Sequence, residues 1–354
     1  MDIAKLDKNF IIETKLSEPD LIWYDATESP FVLYGMTQAY DGERFKRIPE
    51  DVGNNTNVGV KAINFNTAGI RVKFCTDSPY VAIKAIYPQV SKMNNMPLSG
   101  SAGFDLYKII SGKYIFVGEK HPDFSVTTEF EGLFSLKSTK LTDYVINLPP
   151  YNGLCKLYIG VKEGSNFKEP EKYFNEKPVV FYGSSITQGG CATRPGNSYQ
   201  NFLSRELNMD YINLGFSGNA KGEQAIADFM AGLDMSVFVS DYDYNSVTAE
   251  HLEATHYNLY ETIRKVQPDV PYIMISLPSP RCCNGETWRR KTIMQSYIKA
   301  LETGDKNVYF IDGDSLFAGN EFDACTVDGC HPNDLGFYRM ARGMMPILKA
   351  LLYK

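Results

Sequence analysis

The stretch that decides the fold is residues 178–189, which have the sequence PVVFYGSSITQG. An apolar run suited to a buried strand is followed at once by a turn with two serines between glycines. The order of short apolar strand, loop and helix then recurs towards the end of the chain. The predicted strands cover residues 178–182, 211–214, 236–240, 272–277 and 308–311, and the predicted helices cover 197–208, 223–231, 248–266, 286–302 and 334–352. Strands that alternate with helices predict a parallel sheet covered on both faces.

The residues before this region have a different periodicity. Apolar and polar side chains alternate around residues 70–74, 81–87, 144–148 and 155–161. A period of two is typical of half-buried strands, and no long amphipathic helix separates them, which favours a two-sheet sandwich. The change of periodicity predicts a β-sandwich domain at 1–165, a polar linker at 166–177 and an α/β domain at 178–354.

Composition and charge exclude several classes of partner. The chain has 354 residues, enough for about two domains, with 44% hydrophobic and 22% charged residues, as is usual for globular proteins. The net charge is −6 and there is no basic block, so we expect no nucleic-acid partner. No apolar run approaches the ~20 residues of a membrane-spanning helix. Four of the first eight residues are charged, unlike a signal peptide, and we therefore expect a cytoplasmic protein that does not bind membranes.

The seven cysteines favour a reducing compartment over disulfide or metal binding. Their number is odd, they are scattered, and Cys282 and Cys283 are adjacent. Cys325 and Cys330 lie close to His331, but there is no CxxC motif and no second cysteine pair at ligand spacing. We therefore expect reduced thiols and no metal site.

The turn after the first predicted α/β strand presents Ser184 and Ser185. Its glycines permit a sharp turn from strand to helix, which can expose a serine hydroxyl at the edge of a sheet as a nucleophile. Serines in such turns also cap helices, and this alternative stays open at this point.

A nucleophilic serine needs a base, and the candidates are few. The chain has four histidines, at His121, His251, His256 and His331. The first lies in the strand-rich half, and the next two lie within a predicted helix. His331 lies in the loop 327–334, VDGCHPND, which leaves the last predicted strand at the same sheet edge as the serine turn. Asp328, three residues earlier, can orient Nδ1 while Nε2 takes the serine proton. The alternative is a loop histidine held by a local aspartate.

Two further loops at this edge offer hydrogen-bond donors. Residues 213–219, NLGFSGN, follow the second predicted strand and contain glycines whose amides can approach a substrate closely. Residues 241–245, DYDYN, follow the third strand and end in the uncharged amide of Asn245. Donors of this kind stabilise the oxyanion that forms when a hydroxyl attacks a carbonyl.

Together, the serine, glycine, asparagine and Asp-x-x-His blocks resemble those of the SGNH (GDSL-type) hydrolase family. The resemblance covers residues 178–354 and implies a flavodoxin-like three-layer α/β domain. It implies that Ser185 is the nucleophile of a catalytic triad with Asp328 and His331.

The same resemblance implies an oxyanion hole made of the backbone amides of Ser185 and Gly218 and the side-chain amide of Asn245. The sequence departs from the usual family pattern at three positions, Ser184, Asp243 and Ser246. The family has aspartate at the first, and glycine and aspartate at the other two. None of these changes removes a proposed catalytic atom, but they alter the charge around the site.

Residues 103–107, GFDLY, resemble the Gly-x-Asp-Leu-Tyr signature of a jelly-roll domain that precedes the SGNH domain in one bacterial subgroup. That subgroup includes carbohydrate deacetylases acting on plant polysaccharide fragments and an antibiotic-tailoring acyltransferase. An ordinary strand with Phe104 and Leu106 on one face explains the segment equally well.

The resemblance implies a serine O-acyl esterase that forms an acyl-enzyme and needs no metal or cofactor. The resemblance also implies the substrate class, and we expect a carbohydrate acetyl esterase acting on plant-derived oligosaccharides such as mannan or xylan fragments. The small polar loop 191–197 favours a short acyl group. One alternative is an acyltransferase, or a lipid or thioester hydrolase, with the same triad. Another is a carbohydrate-binding protein whose hydrolase domain is a scaffold and whose Trp23 stacks on sugar.

Three side chains are candidates for contacts with the substrate, namely Trp288, Arg194 and Arg281. The tryptophan could stack on a sugar ring and the arginines could donate hydrogen bonds. A tryptophan at a helix start is more often packed against its neighbours, and that alternative stays open. The oligomeric state also stays open.

Overall fold

The computed structural model describes residues 13–278, 287–319 and 321–353. An antiparallel, strand-rich part is followed by a parallel α/β part. Within the described ranges, no helix combines the length and the apolar character that crossing a lipid bilayer requires.

The described residues of the first part form ten strands. They are β1 Leu21–Asp25, β2 Val32–Tyr34, β3 Arg71–Thr76, β4 Tyr80–Ile86, β5 Phe104–Ile110, β6 Lys113–Lys120, β7 Glu129–Ser135, β8 Thr142–Asn147, β9 Lys156–Lys162 and β10 Phe167–Lys168. One sheet has the order β1-β9-β4-β7, and the other has the order β10-β3-β8-β5-β6 with β2 beside β3. Alternate side chains such as Ile83 and Ile146 are fully buried in the core that the two sheets enclose. The predicted antiparallel sandwich is confirmed.

Three short helices interrupt the sandwich between residues 13 and 168, all of which the structure describes, and the periodicity of the sequence did not predict them. They are α1 Glu50–Thr56, α2 Val58–Ile63 and α3 Leu98–Ser101. Ile48 and Val60, which flank or lie within the first two helices, pack into a core of the α/β part. The segment that carries α1 and α2 is therefore continuous in sequence with the sandwich but packs against the other half.

The α/β part contains the five predicted strands in one parallel sheet. They are β11 Asn175–Gly183, β12 Met209–Gly215, β13 Val237–Asp241, β14 Tyr272–Ile275 and β15 Val308–Ile311. Their order in the sheet is β12-β11-β13-β14-β15. This is the flavodoxin-like order, in which ligands bind at the carboxyl ends of the strands where the order reverses. The reversal here lies at β11.

Helices cover both faces of this sheet. They are α4 Ser185–Gln188, α5 Tyr199–Leu207, α6 Gln224–Ala231, α7 Ala249–Val266, α8 Thr287–Glu302, α9 Gly313–Leu316 and α10 Asp334–Leu352. Val179 and Phe181 of β11 pack into one core, and Val180 and Tyr182 pack into the other. Burial on both faces explains why the strand is an unbroken apolar run rather than an alternating one.

The connection between the two parts is shorter than the predicted linker 166–177. Strand β10 pairs with β3 of the sandwich, and β11 already begins at Asn175. Only 169–174 lie between these strands. Polar residues concealed the strand ends, because an edge strand such as β10 can leave Lys168 exposed while Phe167 packs on the core.

Candidate active site

Ser185 lies at the carboxyl end of β11 as the first residue of α4. Ser184 caps this helix, since its hydroxyl accepts a hydrogen bond from the amide of Ile186 at 3.2 Å. The turn needs glycine at Gly183, because a Cβ there would lie 2.3 Å from the carbonyl oxygen of Asp241. The Ser185 side chain is held at the sheet edge, and 6% of the residue is exposed.

Ser185, His331 and Asp328 form one hydrogen-bonded chain. Oγ of Ser185 lies 3.0 Å from Nε2 of His331, and Nδ1 of His331 lies 2.8 Å from Oδ2 of Asp328. The other carboxylate oxygen accepts hydrogen bonds from the backbone amides of Cys330 at 3.0 Å and His331 at 2.7 Å. A carboxylate at Nδ1 directs Nε2 to accept the proton of the serine hydroxyl.

The same loop keeps Asp328 ionised. Burial raises its pKa, but hydrogen bonds from the backbone amide and the ring of His331 outweigh burial and hold the pKa below its ordinary value. An ionised carboxylate stabilises the imidazolium that forms when His331 takes a proton. The arrangement can therefore activate a hydroxyl for attack on a carbonyl.

Side-chain atoms of Asp328, Cys330 and His331 also lie within 4.8 Å of one another, a spacing compatible with metal ligands. Both ring nitrogens of His331 are already within hydrogen-bond distance of Asp328 or Ser185. The donor set therefore fits a hydrogen-bonded triad better than a metal site.

Three loops at this sheet edge are hydrogen-bonded to one another. The side-chain oxygen of Gln188, at the end of α4, accepts a hydrogen bond from the amide of Ser217 at 2.9 Å. Nδ2 of Asn245 donates to the carbonyl of Phe216 at 3.0 Å. Gly218 has a φ of 69°, and among the described residues other than its two chain neighbours no atom lies within 4 Å of the place a Cβ would take. The structure thus brings the loops of the predicted oxyanion donors beside the serine turn.

Two buried aspartates lie beneath the same edge. Burial, and then the charge of Asp243, raise the pKa of Asp241 to about 8, while burial raises the pKa of Asp243 to about 6. The hydroxyls of Thr187 and Tyr199 donate to Asp241 at 3.0 and 3.2 Å. The carboxyl of Asp243 accepts the amide hydrogen of Leu277 at 2.9 Å. Asp243, one of the departures from the family pattern, thus ties the loop after β13 to the end of β14.

The sandwich contributes a residue to this edge that sequence reasoning missed. Tyr151, in the turn after β8, donates its hydroxyl to the carbonyl of Ser185 at 3.1 Å. Next to it, the side chain of Gln188 donates to the carbonyl of Pro150 at 2.9 Å. A Cβ at Gly190 would lie 2.7 Å from the Tyr151 hydroxyl oxygen, so glycine is required for this contact. No pattern in the turn identifies a partner 34 positions later in the chain.

The GFDLY segment at 103–107 joins the two parts of the molecule. Asp105 is fully buried, and its Oδ2 accepts hydrogen bonds from Nη1 of Arg194 at 2.7 Å and from the amide of Gly196 at 2.8 Å. The hydroxyl of Tyr107 accepts a further hydrogen bond from Arg194. The polar side chains of this strand therefore hold the loop that follows the serine turn.

The predicted substrate contacts have different surroundings. Arg194 is engaged by Asp105, as described above. Trp288, in the first turn of α8, packs against the core beneath it and lies 4.2 Å, ring centroid to guanidinium carbon, from Arg289. Arg281 lies outside the described residues. Sugar contacts by these three residues stay predictions.

Trp23, the remaining candidate for stacking, lies on β1 against β9. A Cβ at Gly160 would come within 2.8 Å of the indole ring. The indole N–H is buried and has no hydrogen-bond partner among the described residues. One face of the ring therefore packs on the sheet, and glycan binding by the sandwich stays a prediction.

Comparisons with known proteins agree with this architecture. The sequence model of the GDSL-like lipase/acylhydrolase family matches residues 176–349, and that of the GxDLY N-terminus of SGNH-hydrolase-type esterases matches residues 21–167. The solved structure of a candidate GDSL-like lipase from Bacteroides ovatus is 31% identical, with a TM-score of 0.83, over 94% of this chain and 98% of that chain. A search of curated proteins found no match.

Two other solved structures share the fold at lower identity. The salicylyl-acyltransferase SsfX3 from a tetracycline biosynthetic pathway is 18% identical with a TM-score of 0.76, and a family two carbohydrate esterase from Cellvibrio japonicus is 11% identical with a TM-score of 0.60. Both matches cover 94% of this chain and 98% of the other. The fold and site define a carboxylic ester hydrolase of the SGNH type. The chain belongs to the GDSL-like lipase/acylhydrolase family.

Proposed function

We propose that this protein is a carbohydrate acetyl esterase that removes O-acetyl groups from plant-derived oligosaccharides such as mannan or xylan fragments. The observation that carries the proposal is the hydrogen-bonded chain from Ser185 through His331 to Asp328, beside a cleft on the sandwich side that is lined by both polar and apolar residues. The family membership supports ester hydrolysis, and the surroundings of the serine support the choice of substrate.

In the proposed mechanism, Oγ of Ser185 attacks the acetyl carbonyl carbon while Nε2 of His331 takes its proton. The backbone amides of Ser185 and Gly218 and the side-chain amide of Asn245 donate to the carbonyl oxygen as it becomes negative. The bond from the carbonyl carbon to the sugar oxygen then breaks, and His331 gives its proton to that oxygen. Water, deprotonated by His331, then attacks the acetyl carbonyl carbon, the bond from that carbon to Oγ of Ser185 breaks, His331 returns the proton to Oγ, and acetate leaves. Asp328 stays ionised throughout and stabilises the imidazolium.

The packing around Ser185 favours a short acyl group. A Cβ at Gly190 would lie 3.0 Å from the carbonyl oxygen of Ser185 and 3.5 Å from Cδ2 of His331. Beyond Gly190, the loop is held by the pair between Asp105 and Arg194. A crowded and fixed wall suits an acetyl group better than a long acyl chain.

A cleft of about 610 Å³ lies next to the His331 loop. It is lined by residues 92–98 and 121–124 of the sandwich and by Val327, the neighbour of Asp328. Phe124 is 73% exposed, and the ammonium of Lys92 lies 4.2 Å from its ring centroid. An exposed ring among polar groups is suited to a sugar, whose C–H face packs on the ring while its hydroxyls bind the polar groups. In the proposed complex, the sugar body of the substrate binds in this cleft, and the carbohydrate esterase of the same fold supports this substrate class.

Acetate release from acetylated manno- and xylo-oligosaccharides tests the proposal. The wild type is expected to release acetate, and Ser185→Ala is expected to lower the rate by at least about 10³-fold. Ser184→Ala, which removes only a helix cap, is the matched control and is expected to lower the rate less than about tenfold. The rate on 4-nitrophenyl esters is expected to fall as the acyl chain lengthens from acetate.

Undiminished acetate release by Ser185→Ala would contradict the proposal, and so would a preference for long acyl esters. Transfer of the acetyl group to an added alcohol in place of water would favour the acyltransferase alternative.

A further inference from the structure

A buried arginine from the sandwich half lies beneath the loop of Gly218. Arg47 is 0% exposed, and its Nη1 donates to the carbonyl of Gly215 and, at 3.3 Å, to that of Asn213. Its Nη2 donates to the carbonyl of Ile63 at 3.0 Å. The guanidinium carbon lies 4.4 Å from the ring centroid of Phe216. Arg47 therefore holds the carboxyl end of β12, immediately before the loop that carries Gly218.

The charge of Arg47 has no anionic partner among the described residues. Its hydrogen bonds go to backbone carbonyls, and its Nε has no partner in the part of the chain that the structure describes. Burial lowers the pKa of Arg47 to about 9, which leaves the side chain positively charged at neutral pH. An unpaired buried charge costs free energy, and such costs concentrate at functional sites.

Two of the proposed oxyanion donors, Gly218 and Asn245, are connected to Phe216, the residue that packs on Arg47. Gly218 follows Phe216 by two positions, and the amide of Asn219 donates to the carbonyl of Phe216 at 2.8 Å. Nδ2 of Asn245 donates to the same carbonyl at 3.0 Å. The contact of Arg47 with the Phe216 ring therefore supports the loop of one donor and the acceptor that orients the other.

Arg71 provides an internal control for this contact. It also comes from the sandwich, is 1% exposed and binds β12, but it does so at the amino end of the strand. Its Nη2 pairs with Asp210, and its Nη1 donates to the carbonyl of Tyr211 at 3.3 Å. Arg47 and Arg71 are thus alike in being buried, in coming from the sandwich and in binding β12. They differ in the end of β12 that they bind and in whether a carboxylate of the described residues pairs with their charge.

We propose that Arg47 is a positioning residue for ester hydrolysis, which holds the 215–218 loop and Asn245 where they meet the oxyanion and whose buried positive charge favours the negative charge that develops there. The inference rests on the proposed roles of Gly218 and Asn245, but not on the identity of the sugar. Such interactions act on the transition state more than on the bound ester. The turnover number kcat should therefore depend on Arg47, while KM should not.

The test compares Arg47→Met and Arg47→Lys with Arg71→Met and Arg71→Lys, using 4-nitrophenyl acetate. We expect Arg47→Met to lower kcat about 100-fold with KM within about threefold of the wild type. Arg47→Lys, which retains the charge, should recover part of the loss. The Arg71 variants should keep kcat within about threefold, even where they lower the free energy of unfolding. Rates are measured at a temperature at which circular dichroism shows each variant to be folded.

A folded Arg47→Met with a kcat near that of the wild type would overturn the proposal, as would an equal loss of kcat in Arg71→Met. If Arg47→Met does not fold, Arg47→Lys decides: a lower kcat at unchanged KM supports the proposal, and a wild-type kcat overturns it. If neither Arg47 variant folds, Arg47 is a folding residue and the proposal is overturned. Failure of the proposed function looks different, because the wild type would then hydrolyse 4-nitrophenyl acetate but leave acetylated oligosaccharides intact.

Discussion

Strand β12 is held at each end by one buried arginine from the sandwich, and the two ends differ in what meets the arginine. At the amino end, Arg71 pairs with the carboxylate of Asp210. At the carboxyl end, Arg47 meets the carbonyls of Asn213 and Gly215 and no carboxylate of the described residues. The arginine far from the serine turn is thus paired with a carboxylate, whereas the arginine next to the turn has no carboxylate partner among the described residues.

The two arginines differ because the two edges of a parallel sheet have different roles, one structural and one in ligand binding. Loops that bind ligands leave the carboxyl ends of the strands, so a contact at the amino end can be optimised for stability alone. A cation near the carboxyl end that lacks a counter-ion can act on charge that develops during the reaction. A domain with none of the proposed reacting atoms can therefore still influence where those atoms lie.

We expect the largest effect from Asp328→Asn, a substitution in the loop between β15 and α10 at the carboxyl-end edge of the sheet. The substitution keeps the shape of the side chain but removes the charge that stabilises the His331 imidazolium, so kcat should fall about 10³- to 10⁴-fold. The free energy of unfolding should change by less than about 1 kcal/mol, because the loop is partly exposed. Hydrolysis of 4-nitrophenyl acetate and urea unfolding measure the two quantities. A loss of activity below about tenfold would contradict the assignment of Asp328.

Asp210→Asn should show the opposite pattern at the amino end. It leaves Arg71 buried without a charged partner, so the free energy of unfolding should fall by about 3 kcal/mol. The kcat on 4-nitrophenyl acetate should stay within about threefold of the wild type. Asp234→Asn, which breaks the exposed pair with Lys177, is the control and should change little. A loss of kcat as large as that of Asp328→Asn would contradict the view that the amino end of β12 serves stability alone.

The buried Asp241, at the carboxyl end of β13, leads us to predict that the free energy of unfolding depends on pH. Burial, and then the charge of Asp243, raise the pKa of Asp241 from 3.8 to about 8 on folding. The folded protein therefore retains a proton that the unfolded chain has released, and its free energy of unfolding should fall as the pH rises from about 4 to about 8. Asp241→Asn, which is neutral throughout, should reduce this fall by about 1–2 kcal/mol between about pH 5 and about pH 8, within the limit of ~1.4 kcal/mol per pH unit.

Urea unfolding at several pH values measures this difference. Asp234→Asn is again the matched control, since Asp234 is exposed and precedes β13 at its amino end. Equal pH slopes for Asp241→Asn and the wild type would show that Asp241 ionises in the folded protein as it does in the unfolded chain.

The smallest effect is expected from exposed phenylalanines on the two sides. Phe124→Ala, in the cleft next to the His331 loop, should raise KM for acetylated oligosaccharides about 3- to 10-fold and leave KM for 4-nitrophenyl acetate unchanged. Phe174→Ala is the matched control, because Phe174 is 70% exposed and precedes β11 at its amino end. Equal effects of the two substitutions, or equal effects on the two esters, would remove the cleft from the binding site.

Much of the fold was predictable because its signals are local. The unbroken apolar run at 178–182 and its four successors predicted the parallel sheet, and the alternation at 70–74 predicted a sandwich strand. The short helices α1 and α2 were missed, because each has too few residues to show a helical period.

Some features of the candidate site were likewise predictable from local sequence, and others were not. The spacing of Asp328 and His331 within one loop predicted their contact, and the loops at the carboxyl ends of parallel strands predicted that Ser185 would join them. The interpretation of Arg194 as a hydrogen-bond donor to the substrate did not anticipate its partly buried pair with Asp105, 89 positions away. Sugar binding by Arg194 stays a prediction.

The two kinds of core, the serine turn and the Asp-x-x-His loop could be read from the sequence, since each depends on residues that are neighbours along a strand, turn or helix. Which sandwich side chains support the site became clear from the three-dimensional contacts alone. Tyr151 reaches Ser185 across 34 positions, and Arg47 reaches Gly215 across 168. Such contacts are set by how two preformed surfaces dock, and the periodicity that specifies each surface carries no information about which residue lies opposite in the other.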